Sequence, residues 1–377
     1  MNGKCCRLFL HQKIIMKALS SSIAITLMAI VFLNFNANAK IWRVNNNGNN
    51  PVPAIVSDFP SSTTLQQVND NASVVSGDTI HLEQSPTTYG NCIFTKRLIV
   101  IGAGYFLNQN PNTQVNNSYG TTAGVLTFNN AGSAGSEVWG LTVGNVFAGQ
   151  NNLTIARCFF PNTILYVGNA TPTAINNVTL KQNKIDMQIA ANTPGISVAP
   201  GTIGNVTNAN IYGNIITANP SYAGTGIYLP GNVSGIMKNN IVYSNTPVNA
   251  ANFYVVNNLF NGPMTFNNCN IEYNISTVAI TGSGGGGNSF GSGNQTKTWA
   301  QIAFLGGSSP DGSFQLGPTS VAIGAGNSGV DCGAFAGDYP YKLSGIAPVP
   351  NIYTLTIAPI TAGAATISVT VSAKGNN

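Results

Sequence analysis

Four charged residues lie close enough in the sequence to form a reactive site: Arg157, Lys181, Lys184 and Asp186. Asp186 is the only acid between Glu137 and Glu272. A lysine or arginine beside a carboxylate could act as a base or bind an acidic sugar. One carboxylate supplies neither the acid pair of a glycoside hydrolase nor the ligands of a calcium site. We therefore name these four as candidate catalytic residues, with a solvated coil surface as the alternative.

Aromatic side chains could supply a second kind of site. Tyr222 and Tyr228 lie in the longest insert between repeats, residues 218–231, and Trp139 begins the aromatic series. Rings on an exposed face could stack against sugar rings, while Asn and Thr bond the sugar hydroxyls. Rings in the repeats can also fill the interior. Trp139, Tyr222 and Tyr228 are the candidate ligand-binding residues, and a polysaccharide is the expected partner.

Metal chemistry needs clustered ligands, which the sequence does not offer. His81 is the only histidine after residue 40, and the cysteines there are far apart: Cys92, Cys158, Cys269 and Cys332. Zinc sites need closely spaced Cys or His, so we predict no metal and no cofactor. His81 and Glu83 share an alternating strand and form an alternative general-base pair. Cys158 is predicted to pack as a small apolar residue.

A short repeat must position these side chains. An apolar residue, two further residues, a polar residue, one more residue and a second apolar residue recur six times over residues 155–276. The copies begin at Ile155, Leu180, Ile211, Ile236, Tyr254 and Ile271. The predicted polar column is Cys158, Asn183, Asn214, Asn239, Asn257 and Asn274. The blocks are too short for helices, and their irregular spacing indicates strands joined by loops of variable length.

The fold that this repeat predicts is all-β: a right-handed parallel β-helix, in which equivalent residues of successive coils stack. Asparagines at one bend would form a hydrogen-bonded ladder along the stack. Aligned on the column, Lys181 lies over Ala156 of the adjacent coil, and Arg157 lies under Gln182. In this alignment Lys238 takes the position of Gln182 two coils further on.

The N-terminal residues 1–39 have the pattern of a secretory signal. Basic residues precede an apolar run over residues 23–35, and Ala37-Asn38-Ala39 supplies a small-residue cleavage pattern. Met16 is an alternative start. Four of the fifteen Lys and Arg precede residue 40 but none of the ten acids does, so the remainder has a net charge of about +1. A chain this close to neutral predicts no nucleic-acid partner, and we expect a secreted protein with no membrane span.

Segments near both ends resemble secreted right-handed parallel β-helix proteins of the pectin-lyase-like superfamily. At the start these are Gly77-Asp78-Thr79-Ile80-His81-Leu82 and Leu98-Ile99-Val100-Ile101-Gly102-Ala103-Gly104. Near the end, residues 311–316, 320–326 and 331–335 are similar to the closing segment of such proteins from Bacteroidetes. For a lyase of that superfamily the resemblance implies carboxylates that hold Ca²⁺ and an Arg or Lys base.

The last segment is predicted to be a separate element. A Pro-containing linker is followed by two alternating runs, so residues 346–377 predict a linker and a β-hairpin after the β-helix of residues 40–345. The hairpin could cap the solenoid or associate with a second copy. The leading hypothesis is a secreted, non-catalytic protein that binds polysaccharide or serves as a surface scaffold. The alternatives are a polysaccharide lyase and a filament-forming structural protein.

Overall fold

A computed structural model describes residues 39–47, 58–113, 118–161, 165–168, 174–187, 194–198, 204–218, 224–229, 231–280, 287–307, 309–359 and 366–376. Lys40–Asn377 forms one compact unit. The predicted signal peptide, apart from Ala39, and the alternative start at Met16 lie outside the described residues and stay predictions.

Three long parallel sheets form the described coils. Sheet A contains β1 (Ile41–Val44), β2 (Thr79–Leu82), β4 (Ile99–Ile101), β7 (Glu137–Trp139), β10 (Thr154–Ala156), β13 (Ile175–Lys181), β16 (Val206–Tyr212), β19 (Val233–Lys238), β22 (Phe253–Val256), β25 (Asn270–Glu272) and β27 (Ser289–Phe290). Sheet B contains β3 (Cys92–Ile93), β6 (Leu126–Thr127), β9 (Val146–Ala148), β12 (Leu165–Val167), β15 (Ile196–Val198), β18 (Thr225–Leu229), β21 (Thr246–Ala251) and β24 (Thr265–Asn267). Sheet C contains β5 (Thr122–Ala123), β8 (Thr142–Val143), β11 (Phe159–Pro161), β14 (Lys184–Met187), β17 (Ile215–Ala218), β20 (Ile241–Tyr243), β23 (Leu259–Asn261), β26 (Ile275–Ser276) and β28 (Gln295–Thr296).

From β4 to β26 the chain visits sheets A, C and B in turn. Each of these strands pairs in parallel with the equivalent strand of a neighbouring coil, so the parallel β-helix prediction is confirmed. Inward-facing residues of sheet A stack in register: Ile155, Leu180, Ile211, Met237, Val255 and Ile271. Each is fully buried in one core that extends along the coils. Apolar side chains at every second position make this stacking favourable, because each strand turns one face inward.

Among the residues that the structure describes, two short α-helices accompany the sheets, α1 (Leu65–Asp70) and α2 (Trp299–Ile302). Single 3₁₀ turns lie at Ala131–Ser133, Gly312–Phe314, Asn327–Gly329 and Leu343–Gly345. Among the described residues, no helix has the length and apolar character needed to cross a membrane.

The bend between sheets A and C holds the predicted asparagine ladder. Its members are fully buried: Asn183, Asn214, Asn240, Asn258 and Asn274. The side-chain oxygen of each one from Asn214 to Asn274 accepts bonds of 2.8–3.0 Å from the backbone N–H and the side-chain amide of the previous one. Asn294 continues the series. The ladder therefore satisfies the buried polar groups at each bend.

In two coils the ladder asparagine is one residue later in the chain than predicted. Asn240 and Asn258 belong to the ladder, whereas Asn239 and Asn257 precede them with φ of +56° and +58°. Tyr254 and Ile236 accordingly lie on the outer face of sheet A, because Met237 and Val255 take the inner column. The double asparagines made both registers compatible with the sequence pattern.

A C-terminal strap, residues 309–347, covers the outer face of sheet C. The first residues of four sheet C strands point outward and pack with strap residues in a second apolar core: Ile215, Ile241, Leu259, Ile275, Ala322, Cys332, Ala334 and Tyr341. The strap runs towards earlier coils. The N–H of Asn327 bonds the side chain of Asn257 at 2.8 Å, and the side chain of Gln182 bonds the carbonyl of Pro340 at 2.5 Å.

The C-terminal hairpin is confirmed as β29 (Asn351–Ile357) and β30 (Val369–Lys374), an antiparallel pair. The base of the hairpin contacts the middle of the β-helix, because the carbonyl of Asn376 accepts a hydrogen bond from Arg157. Arg157 follows β10, and five sheet A strands lie between β10 and the terminal strand β27. This attachment does not fit the prediction that the hairpin caps the end of the solenoid.

Candidate functional site

Arg157 is a buried anchor for the C-terminal segment. It occupies the left-handed position of its bend, with φ of +53°, and is 4 % exposed. Its Nε donates to Oε1 of Gln182 at 2.9 Å, as the predicted stacking of these residues requires. Its Nη1 donates to the carbonyls of Ile346 at 2.8 Å and Asn376 at 2.7 Å. Burial lowers the pKa of Arg157 to about 10, so it remains a cation at neutral pH.

Lys181 and Trp139 lie beside this anchor, on the outer face of sheet A. The register confirms that Lys181 pairs with Ala156. Lys238 lies in the column of Lys181 two coils later, and not in the predicted column of Gln182, because Met237 and not Ile236 faces inward on that strand. The ammonium of Lys181 lies 5.0 Å from the ring centre of Trp139 and 4.7 Å from that of Tyr339 in the strap. Trp139 is 9 % exposed and belongs to a small apolar cluster with Ala156 and with Ala347 of the strap. Burial, and next the nearby charge of Arg157, lower the pKa of Lys181.

Lys184 and Asp186 form an ion pair on sheet C, under the strap. Lys184 is 1 % exposed, and its Nζ bonds Asp186 and, at 3.0 Å, the hydroxyl of Thr217. The ring of Phe314 covers the ammonium at 5.6 Å. Burial lowers the pKa of Lys184, against the opposing effect of Asp186. Arg157 and Lys181 therefore share the ring of Trp139, whereas Lys184 and Asp186 occupy a different sheet.

A second group of buried polar side chains, around Asp311, lies under the strap, and no sequence pattern predicts it. Asp311 is fully buried and accepts bonds from the side chain of Asn110 at 2.9 Å and the backbone N–H of Ser344 at 2.7 Å. The hydroxyls of Tyr105 and Tyr341 lie 2.7 Å apart beside it. Burial, and next the other charges nearby, raise the pKa of both tyrosines well above its usual value. More than 200 residues separate Asn110 from Asp311 in the chain, so no local pattern could connect them.

A column of aromatic rings lies on the outer face of sheet B. Thr127, Phe147, Tyr166, Ser197, Tyr228, Asn249 and Thr265 follow one another in register across seven strands. The rings of Phe147 and Tyr166 are stacked, with centroids 4.7 Å apart and planes 9° apart. Tyr228 is 41 % exposed, two strands beyond Tyr166. Tyr222, the other predicted ring of that insert, lies outside the described residues.

Sheet B also differs from the rest of the surface in its charge. Its eight strands contain no Asp, Glu, Lys, Arg or His. Thr127, Asn249 and Thr265 supply hydroxyl and amide groups beside the rings. This face can therefore stack planar apolar surfaces and bond neutral hydroxyls, but it offers no charged group to an ionic ligand.

The remaining candidates form separate groups. His81 lies 3.8 Å from Glu83, whose carboxylate also binds Arg43. Burial lowers the pKa of His81, while Glu83 acts in the opposite direction. In the described part of the chain, His, Cys, Asp and Glu do not form any group of three suited to a metal ion. The four cysteines after residue 40 are buried and unpaired, and burial raises the pKa of Cys158 to about 12.

A cavity lies between the strap and sheet C, away from the predicted residues. Its volume is about 180 Å³, and its lining includes Ile241, Leu316, Cys332 and Phe335. Comparisons with protein-family models, with curated proteins and with solved structures gave no match to this chain.

Proposed function

We propose that this chain is a secreted β-helix protein that binds a polysaccharide without cleaving it. The observation that carries the proposal is the aromatic column of sheet B, where Phe147 and Tyr166 stack and Tyr228 stands exposed in the same register. Strands in a sheet are spaced about 4.8 Å apart, so these rings form a ladder perpendicular to the strands. A polysaccharide would run along this ladder, with a sugar face on the exposed ring of Tyr228 and further apolar contact with the outer edges of Phe147 and Tyr166.

The polar neighbours favour a neutral polysaccharide over an acidic one. Asn249 and Thr265 can donate and accept hydrogen bonds to sugar hydroxyls. An acidic sugar would instead need a cation at the binding face, since a buried charge without a partner is costly. The strands of sheet B supply none. The proposed ligand is therefore an extended chain of uncharged sugars.

The charged residues support the non-catalytic part of the proposal. A base must come within hydrogen-bond reach of the proton that it removes. Arg157 is bonded to two carbonyls of the C-terminal segment, and Lys184 is enclosed by Asp186, Thr217 and the strap. Arg157 holds the end of the strap and the hairpin on the coils, and the strap residue Phe314 covers Lys184. These contacts account for the burial of both residues without a substrate.

The family and the location belong to the same proposal. The segments at residues 77–82 and 98–104, and those at residues 311–316, 320–326 and 331–335, resemble bacterial members of the pectin-lyase-like superfamily. The signal pattern of residues 1–39 favours export. We place the mature protein outside the cell or at its surface.

A polysaccharide array tests the proposal. The purified protein should bind one or more neutral polysaccharides, and Tyr228→Ala should reduce that binding. Tyr119→Ala is the matched control, because Tyr119 is 47 % exposed but is not part of the aromatic column. Equal loss in both variants, or the absence of any glycan binding, would contradict the proposal. Release of unsaturated products from pectate or alginate would support the lyase alternative.

A further inference from the structure

The C-terminal hairpin carries an apolar face that the described residues leave uncovered. Leu355 pairs with Val371, and Ile357 pairs with Val369, so these four side chains share one face. They are 49–60 % exposed. The alternate positions, Thr354, Thr356, Thr370 and Ser372, form a hydroxyl-bearing face on the other side. The hairpin is therefore amphipathic, with its apolar side towards solvent.

An exposed arrangement of this kind is unfavourable for a single chain. A hairpin of two strands is marginally stable in water unless another layer covers its apolar face. Exposed apolar patches on soluble proteins mark interaction surfaces. The hairpin is held at its base, because Arg157 bonds Asn376 and the side chain of Asn376 bonds Asn351 at 2.6 Å. The face is thus presented from a fixed point on the β-helix.

We infer that the partner of this face is the same face of a second copy. In such a contact, the apolar faces pack on one another as two layers about 10 Å apart. A two-fold axis relates the copies, so that identical residues meet in reciprocal pairs. The inference goes beyond polysaccharide binding and does not depend on it.

The charge distribution allows two copies to meet. Lys374 is the only charged residue in residues 351–376. It pairs with Asn351 at the base of the hairpin, at the opposite end from the Ile357 and Val369 pair. In a two-fold contact with antiparallel hairpins, the two Lys374 side chains lie at opposite ends of the interface. No like charges are brought together at its centre.

The small apolar face of the hairpin indicates a weak contact between the two copies. Two strands of six or seven residues give a face of about 20 Å by 10 Å at a rise of about 3.3 Å per residue. A standard stable interface buries about 800 Å² on each partner. The hairpin face is smaller, so it fits a reversible, concentration-dependent dimer.

Sedimentation velocity over a hundredfold range of protein concentration tests this inference. The wild-type protein should shift from monomer towards dimer as its concentration rises. Leu355→Thr with Val371→Thr, which places β-branched residues suited to strands at both positions but makes the face polar, should weaken association at least tenfold. The matched control, Thr356→Ser with Thr370→Ser on the hydroxyl-bearing face, should associate as wild type does.

If the polar variant misfolds, a cross-linking experiment tests dimer formation independently. Val371→Cys should be linked into dimers by a short bismaleimide, whereas Thr370→Cys, on the opposite face, should react far less. Wild-type protein that stays monomeric at every concentration would overturn the inference. Equal association of wild type and the Leu355→Thr, Val371→Thr variant would overturn it too, and so would equal cross-linking of the two cysteine variants.

Discussion

Nη1 of Arg157 donates to the carbonyl of Asn376 across 219 residues of sequence, at 2.7 Å. The same nitrogen donates to the carbonyl of Ile346. One guanidinium thus joins a bend of the β-helix, the end of the strap and the base of the hairpin. Because Nε and Nη1 of Arg157 bind other parts of the chain, this residue has a structural role. These bonds are the main reason to regard Arg157 as structural and not catalytic.

Replacing Arg157 should loosen the C-terminal segment first. Arg157→Ala leaves two carbonyls without a donor, and loss of a buried charged hydrogen bond costs about 2–3 kcal/mol. We expect a lower free energy of unfolding and faster tryptic cleavage after Lys342, with little change in the coils. Arg97→Ala is a suitable control, since exposed Arg97 bonds one carbonyl, that of Gly135. If Arg157→Ala is cleaved after Lys342 at the wild-type rate, Arg157 does not hold the C-terminal segment in place.

The asparagine ladder should be the polar feature most sensitive to substitution. Asn240→Ala removes the acceptor for the N–H and the side-chain amide of Asn214. Because unsatisfied buried polar groups cost about 1–3 kcal/mol each, we expect a loss of roughly 3 kcal/mol in the free energy of unfolding by urea. Asn176→Ala removes an exposed side chain bonded to Thr207 and should cost under about 0.5 kcal/mol. Similar losses in the two variants would contradict the ladder's role.

The sequence pattern does not determine the register of the coils that carry two consecutive asparagines. Stacking alone predicts an apolar column with asparagine three residues later, and this holds at Asn183, Asn214 and Asn274. At Asn239-Asn240, however, either residue completes the pattern. The packing of Met237 inward settles the register, and that preference depends on neighbouring coils.

The strap could not be predicted because its contacts join distant parts of the chain. Asp311 meets Asn110, and Gln182 meets Pro340, 158 residues away. Periodicity in the coils predicted the neighbours of Lys181 and Arg157 correctly. It contained no information about what covers them. The sequence therefore predicts the parallel β-helix and the coil neighbours of Lys181 and Arg157, but not the strap that covers Lys184.

Asp78 should make stability depend on pH in the acid range. Burial raises its pKa, but bonds from the N–H groups of Val75 and Lys40 and from the indole of Trp42 outweigh burial, so the pKa lies below the ordinary 3.8. The stabilisation is therefore complete above about pH 3.8 and is lost as the pH falls through the lower, folded-state pKa. If export removes residues 1–39, the donor from Lys40 becomes a charged α-amino group and strengthens this bond.

Urea unfolding between pH 7 and pH 2.5 measures this effect. The wild type should lose stability below pH 3.8, whereas Asp78→Asn should be less stable at pH 7 and have a flatter profile. Asp338→Asn changes an exposed carboxylate paired with Lys238 and serves as the control. An Asp78→Asn profile parallel to that of the wild type would show that Asp78 is not responsible.

The dissociation constant for a neutral polysaccharide tests the central proposal most directly. Isothermal titration should be done with wild type, with Tyr119→Ala, and with a variant carrying Tyr166→Ala and Tyr228→Ala together. Loss of two aromatic contacts, the face of Tyr228 and the edge of Tyr166, at about 1 kcal/mol each predicts binding weaker by at least tenfold in the double variant, with Tyr119→Ala unchanged. A dissociation constant in the double variant equal to that of the wild type would contradict binding at sheet B.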